Sequence, residues 1–131
     1  MSEENVEIVR AFPRIWNGGD MEGIRELFHP DAILEVAPDW PEQGPFIGRD
    51  AVMGQLSRAR ESFDSDSVEW LTDPVAVGDR VIVRLCWHGS GRGPESDMEW
   101  TTVFTLRDGR FIRLQYFWDH AAAVEAAGES E

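Results

Sequence analysis

Glu99, Arg84 and Tyr116 are the residues of this chain whose types and spacing could do chemistry together. A carboxylate held in an apolar surrounding is protonated more easily than in water and can act as general acid or base. An arginine beside it tunes that balance, and a tyrosine can donate a hydrogen bond to a ligand carbonyl or hydroxyl. Each also has a purely structural use. Arg84 and Glu99 can form an ion pair that orders a wall, and Tyr116 can be a core aromatic whose hydroxyl is met by a neighbour. His88 with Asp97 is either a proton shuttle or a solvated contact at a strand end. Asp119-His120 is no dyad, because adjacent residues on a strand point to opposite faces; Asp119 is instead placed to cap a following helix. Cys86 is the single cysteine and lies in an apolar run, which reads as a buried inert thiol. The three histidines show no ligand spacing, and no glycine-rich phosphate loop or dinucleotide fingerprint is present, so neither a metal nor a cofactor is expected.

These residues must be positioned by helices and strands that the pattern announces. Val6, Val9, Phe12 and Trp16 recur at helical spacing after Ser2, a candidate cap, with Pro13 expected to kink the helix. Gly18-Gly19 ends it. Asp20 can cap a second, short helix whose buried stripe is Met21, Ile24, Leu27 and Phe28, stopped by His29-Pro30. Residues 31–37 read as a strand and the following ten as a proline-rich loop carrying Trp40 and Phe46. A third helix begins after Gly48. Four strands follow: 68–77, 80–89, 97–107 and 110–119. Gly78-Asp79 and Asp108-Gly109 are hairpin turns, and the Gly91–Pro94 stretch is a longer turn. Residues 121–127 form a closing helix, ended by Gly128. The expected order is α-α-β-α-β-β-β-β-α in one α+β domain over residues 1–131.

Turn chemistry sets a trial register. Pairing Arg107 with Arg110 places Glu99 opposite Trp118, Thr101 opposite Tyr116 and Val103 opposite Leu114. Pairing Gly89 with Ser96 places His88 opposite Asp97, Cys86 opposite Glu99 and Arg84 opposite Thr101. One face then mixes Arg84, His88, Asp97, Glu99, Thr101, Tyr116 and Trp118, as small-molecule pockets do. The other face, with Leu85, Trp87, Met98, Trp100, Phe104 and Phe117, is almost wholly apolar. We expect the mixed face to line an enclosed pocket, with Trp16, Trp40 and Phe46 from the helices and loop, Trp40 serving as a lid. The apolar face is expected to be covered by a second copy, giving a homodimer. A slip of one residue would exchange the two faces.

Bulk properties bound the function. The chain has 131 residues and 42% hydrophobic residues, enough for a core without disulfides. A net charge of −13 argues against nucleic acid and anionic membrane surfaces as partners. No apolar run approaches a membrane span and the first residues lack the pattern of a signal peptide, so a cytoplasmic location is expected.

Strings along the whole chain resemble the SnoaL-like, polyketide cyclase-like branch of the nuclear transport factor 2-like superfamily. They are Trp16-Asn17-Gly18-Gly19-Asp20, Leu27-Phe28-His29-Pro30-Asp31, Gly48-Arg49-Asp50-Ala51-Val52, Gly78-Asp79-Arg80-Val81, Arg107-Asp108-Gly109-Arg110 and Trp118-Asp119-His120. The resemblance implies a cone-shaped fold, a curved sheet with helices on its concave face, a pocket between them, and a dimer. It implies no single reaction. Ketosteroid isomerases of this superfamily use a carboxylate base, a tyrosine and a protonated aspartate; the matching positions hold Val36, Phe12 and Thr101, so that triad is absent. The cyclases' catalytic aspartate is matched by Tyr116. Two readings follow. One is an isomerase, cyclase, dehydratase or epoxide hydrolase using Glu99, with Arg84 and Tyr116, on a small hydrophobic compound. The other is a non-catalytic module that binds such a ligand or a partner.

Overall fold

The computed structural model describes residues 2–91 and 93–129. Four helices and seven strands follow in the order α1 (Ser2–Asn17), α2 (Met21–Glu26), β1 (Phe28–Glu35), β2 (Phe46–Ile47), α3 (Arg49–Glu61), β3 (Ser65–Trp70), β4 (Val75–Val77), β5 (Arg80–Gly91), β6 (Gly93–Arg107), β7 (Arg110–Phe117) and α4 (His120–Glu129). The expected α+β order holds, with four refinements. The proline-rich loop contains the short β2, which pairs Leu34 with Phe46. The strand expected over 68–77 is two strands, β3 and β4, both paired to β5. Phe28, expected on the second helix, opens β1 and is fully buried against Phe111. The longer turn expected at Gly91–Pro94 is shorter: Gly91 pairs with Gly93 across Arg92, which lies outside the described residues.

The sheet order is β2-β1-β7-β6-β5-β3, antiparallel throughout except for the parallel β1–β7 pair. The sheet is curved and does not close. Asp108 and Gly109 both take positive φ, 54° and 76°, the conformation a two-residue hairpin of this kind requires.

α1 lays Val9, Phe12 and Trp16 onto Val81, Val83, Phe104 and Phe111. Full burial of each such side chain contributes about 1.5–3 kcal/mol. Pro13 does not end this helix, which runs on to Asn17. A proline has no N–H, so the carbonyl four residues earlier, on Val9, loses its helical donor. Trp70 supplies the replacement: its Nε1 donates to the Val9 carbonyl at 3.1 Å. The capping side chain expected of Ser2 lies outside the described residues. Asp20 caps α2 as expected, accepting from the Gly23 amide at 2.9 Å. Asp119 caps α4, accepting from the Ala122 amide at 3.1 Å.

α1 and α3 lie on one face of the sheet. α4 lies on the other, where Ala123 and Ala127 pack on Ile82, Val103 and Phe117. This corrects the expected orientation. The apolar face of β5 and β6 looks at α1 and α3 and is covered from within the chain; it gives no reason for a second copy. Among the described residues, no helix is long and apolar enough to cross a membrane.

At the lower end of β5, Phe63 fills the space a side chain on Gly89 would need: a Cβ there would lie 2.6 Å from its ring. Gly89→Ala should therefore displace Phe63 and lower stability by about 1–3 kcal/mol. Urea unfolding should show this as a lower midpoint with an unchanged slope. An unchanged midpoint would mean the ring steps aside freely.

Candidate ligand cavity

A cavity of about 550 Å³ lies between the inner face of the sheet and helices α1 and α3. Its walls are aromatic. Trp40 meets Trp100 edge-on, with ring centroids 4.9 Å apart and an angle of 86°. Tyr116 lies 4.8 Å from Trp40 and 5.2 Å from Trp100, closing a triangle of rings. Phe12 stacks on both Trp16 and Trp70, at 5.9 and 5.6 Å. Phe63 meets the edge of Trp87 at 5.0 Å.

Hydrogen bonds from the indoles hold these walls. Asp66, with 5% of its side chain exposed, accepts from Trp16 Nε1 at 2.7 Å and from Trp87 Nε1 at 2.8 Å. Its other oxygen meets Arg60 Nε at 3.0 Å, and the Arg60 guanidinium sits over the Trp16 ring at 4.5 Å. Trp100 Nε1 donates to Thr102 Oγ1 at 2.9 Å. Three polar groups in the wall are left over. Gln55 is buried, and its Oε1 has no partner. Among the described residues, none bonds the Tyr116 hydroxyl or the Trp40 indole N–H. Tyr116 is half-buried in the cavity wall, and desolvation there pushes its phenol above the ordinary 10.0. At the mouth, Arg58 grips both oxygens of Glu42, its Nε lying 3.1 Å from each. Both side chains are well exposed, so water and salt screen this pair and it adds little to stability.

Of the residues expected at the site, Trp16, Trp40 and Tyr116 line the cavity. Phe46 packs beside the main core instead. Arg84, Thr101, His88, Asp97 and Glu99 stand on the outer face of the sheet, and the shared wall of Glu99, Arg84 and Tyr116 is thereby corrected. The cause is a bulge. Leu106 still pairs with Phe111, but Thr105 pairs with Arg113, leaving Ile112 as an extra residue. Beyond it Tyr116 faces Thr102, not Thr101, and so joins the Trp100 side. Glu99 is 56% exposed and meets Arg84 at 3.7 Å. Arg84 Nη1 also donates to Thr101 Oγ1 and to the Trp118 carbonyl, at 3.1 and 3.2 Å. Thr101 is shared with His120 Nδ1 at 3.0 Å. Trp118 is 38% exposed; it lies 5.1 Å from Trp40 and donates to the Pro38 carbonyl, fastening the loop rather than lining the cavity. His88 bridges Asp97 and Glu69, and those two hydrogen bonds raise its pKa from 6.5.

Sequence reasoning missed Gln55, Trp70, Trp87 and Trp100 as cavity residues. A usable signal existed for the last two. A sheet's more apolar face packs on the apolar stripes of helices, and α1 carries a more pronounced apolar stripe than α3 or α4.

A curved, open sheet wrapped around a cavity by two helices is the architecture of nuclear transport factor 2-like proteins, including those of ketosteroid isomerase-like fold. Residues 9–114 match the SnoaL-like domain family, and the chain belongs to it. It is similar to an uncharacterized PhzA/B-like protein of Pseudomonas aeruginosa, at 26% identity over 95% of this chain and 91% of that protein. Among solved structures, Bal32a from a soil-derived mobile gene cassette is 28% identical, with a TM-score of 0.80 over 95% of this chain and 96% of that one. TerC, co-crystallized with polyporic acid, is 23% identical, with a TM-score of 0.74 over 95% and 98% of the two chains.

Two outcomes test this geometry. Asp66→Ala strands two indole N–H groups and Arg60, and should cost about 3 kcal/mol of stability, measured by urea unfolding. A loss under about 1 kcal/mol would contradict the clasp. Tyr116 is the only tyrosine, so alkaline titration reads it alone. Its folded pKa stands above the unfolded 10.0. Its contribution to stability is therefore complete below that pH and is lost as pH rises further. Phenolate absorbance of the folded protein should therefore appear only above pH 10; half-titration at pH 10 or below would refute the desolvation.

Proposed function

We propose that this cavity binds a small, planar, neutral and mostly apolar molecule that carries a hydroxyl or carbonyl group. The observation that supports this most is the combination of an aromatic-walled space with the unpartnered Gln55 amide and Tyr116 hydroxyl. A cavity of about 550 Å³ suits a ligand of drug-like size. Flat π-faces and edges favour flat ligands, in offset or edge-on contact. Burying an unpaired acceptor costs about 1–3 kcal/mol, and a ligand hydroxyl that donates to Gln55 Oε1 removes that cost, while a ligand hydroxyl or carbonyl oxygen can accept from the Tyr116 hydroxyl. Neutrality follows from the charges: Glu42 and Arg58 satisfy each other at the mouth. This reading asks nothing of a second copy, because each chain holds a whole cavity. It gives Glu99, on the other side of the sheet, no part in the cavity.

The test is a thermal-shift and tryptophan-quenching panel of hydroxy- and keto-substituted naphthalenes and anthraquinones, beside saturated bicyclic alcohols of equal volume. Planar compounds should bind saturably and the saturated ones at least ten times more weakly, as loss of stacking of about 1.4 kcal/mol requires. Tyr116→Phe and Gln55→Leu should each weaken binding about 5–10-fold, Trp100→Ala should abolish it, and Glu99→Gln should leave it unchanged. Equal binding of saturated and planar compounds, or no saturable binding at all, would sink the reading. Chromatography with mass analysis of the same mixtures, which also resolves products of unchanged mass, separates binding from turnover: unchanged ligand supports a binder, and product that vanishes in Tyr116→Phe shows an enzyme.

A further inference from the structure

The outer face of the sheet carries a polar cluster that the cavity does not use. Strands β3, β5 and β6 align it in rows: Glu69 beside Cys86 beside Glu99, and Ser67 beside His88 beside Asp97. Cys86 is only 4% exposed, yet it belongs to none of the three apolar clusters of the protein. Its surroundings are donors of electron pairs. Cys86 Sγ lies 3.8 Å from His88 Nδ1, and that nitrogen lies 2.7 Å from Asp97 Oδ1. All three ligand atoms fall within 4.8 Å of one another. The other ring nitrogen, His88 Nε2, lies 3.1 Å from Glu69 Oε1.

This layout approaches that of a metal site; the three ligand atoms, spread over as much as 4.8 Å, still have to draw in around an ion. Around tetrahedral zinc, sulfur sits at about 2.3 Å and nitrogen or oxygen at about 2.0–2.2 Å, which separates neighbouring ligand atoms by roughly 3.3–3.8 Å. The Sγ–Nδ1 distance is already in that range. The Nδ1–Oδ1 distance must open by roughly 0.6 Å to reach it, as it would when an ion replaces the proton between them. Asp97 can make that shift, since 70% of its side chain is exposed. Glu69 does what outer carboxylates do around histidine ligands: it accepts a hydrogen bond from Nε2–H, which leaves the Nδ1 lone pair for the ion. Glu69, Asp97 and Glu99 also concentrate negative charge on this patch, which favours a dication and disfavours a bare thiolate.

We propose that Cys86 Sγ, His88 Nδ1 and the Asp97 carboxylate form a binding site for a borderline-soft divalent cation of the zinc type. A water takes the fourth position, and Glu69 orients the imidazole from behind. Binding displaces the thiol proton of Cys86 and the proton between His88 and Asp97, so affinity rises with pH. The ligand set, one sulfur, one nitrogen and one oxygen, selects against magnesium and calcium.

Cobalt(II) provides the probe. Tag-free, reduced, chelator-treated full chain titrated with cobalt should develop a thiolate-to-cobalt charge-transfer band and intense visible bands of four-coordinate geometry, saturating at one ion per chain. Zinc should bleach them. Cys86→Ser should remove the charge-transfer band. Asp97→Asn should weaken binding at least 10-fold, and Glu69→Gln about 10–100-fold with the band position unchanged. Asp97 and Glu69 are well exposed, so these two variants remain informative if the buried Cys86→Ser proves unstable. The proposal is overturned if no charge-transfer band forms at stoichiometric cobalt. It is equally overturned if the band survives in Cys86→Ser, or if affinity is the same in Asp97→Asn and Glu69→Gln as in the parent, which would mean thiol binding alone.

Discussion

One extra residue in the last strand decides what the inside of this protein is. Between the hairpin at Asp108-Gly109 and the middle of β7, Ile112 has no counterpart on β6, and the register beyond it moves by one. Side chains alternate along a strand, so a one-residue shift carries every later side chain to the other face. Tyr116 and Leu114 turn inward with Phe104, Thr102 and Trp100, while Phe117 turns outward to meet α4. Without that bulge the aromatic triangle of Trp40, Trp100 and Tyr116 could not form, and the cavity would lose its one phenol.

The walls placed in this way are held by indole N–H groups rather than by shape alone. Five of the six tryptophans donate to a fixed acceptor: Trp16 and Trp87 to Asp66, Trp70 to the Val9 carbonyl, Trp100 to Thr102 and Trp118 to the Pro38 carbonyl. Each bond fixes the rotation of a large ring at little entropic cost, because a tryptophan has only two side-chain torsions. Pro13 belongs to the same scheme. By lacking an N–H it frees a carbonyl on α1, and Trp70 from β3 takes it. A proline that looks like a defect in a helix is thus the point where that helix is tied to the sheet. The buried Asp66 makes the complementary tie, joining α1, β5 and Arg60 of α3 through one carboxylate.

The sheet separates two chemistries. Its inner face has bulky rings, three polar groups without a partner among the described residues, and charges paired as Arg58–Glu42 and Arg60–Asp66. Its outer face has carboxylates, histidines, an arginine and a shielded thiol, partly roofed by α4. A hydrogen-bond network runs through Arg84, Thr101 and His120, and a second polar cluster surrounds Cys86. The strands between them are one residue thick, so each face can be altered without touching the atoms of the other.

The sequence by itself determined the elements, the family likeness and much of the pairing. Helical spacing announced α1, the turn residues announced both hairpins, and the β5–β6 register of Arg84 with Thr101, Cys86 with Glu99 and His88 with Asp97 stands as the turns imply. Asp20 and Asp119 were legible as caps because capping is local. Alternation also told which residues of β5 and β6 share a face. Alternation alone does not say which face the helices choose; the greater apolar area of the Trp87 and Trp100 side is the signal that does. The bulge at Ile112 was invisible for a related reason: nothing in a strand's own residues marks which one will go unpaired until its partner is beside it. Only the tertiary structure, by bringing α1 and α3 against one side of the sheet and α4 against the other, made Tyr116 and Gln55 neighbours of one cavity and left Glu99 outside it.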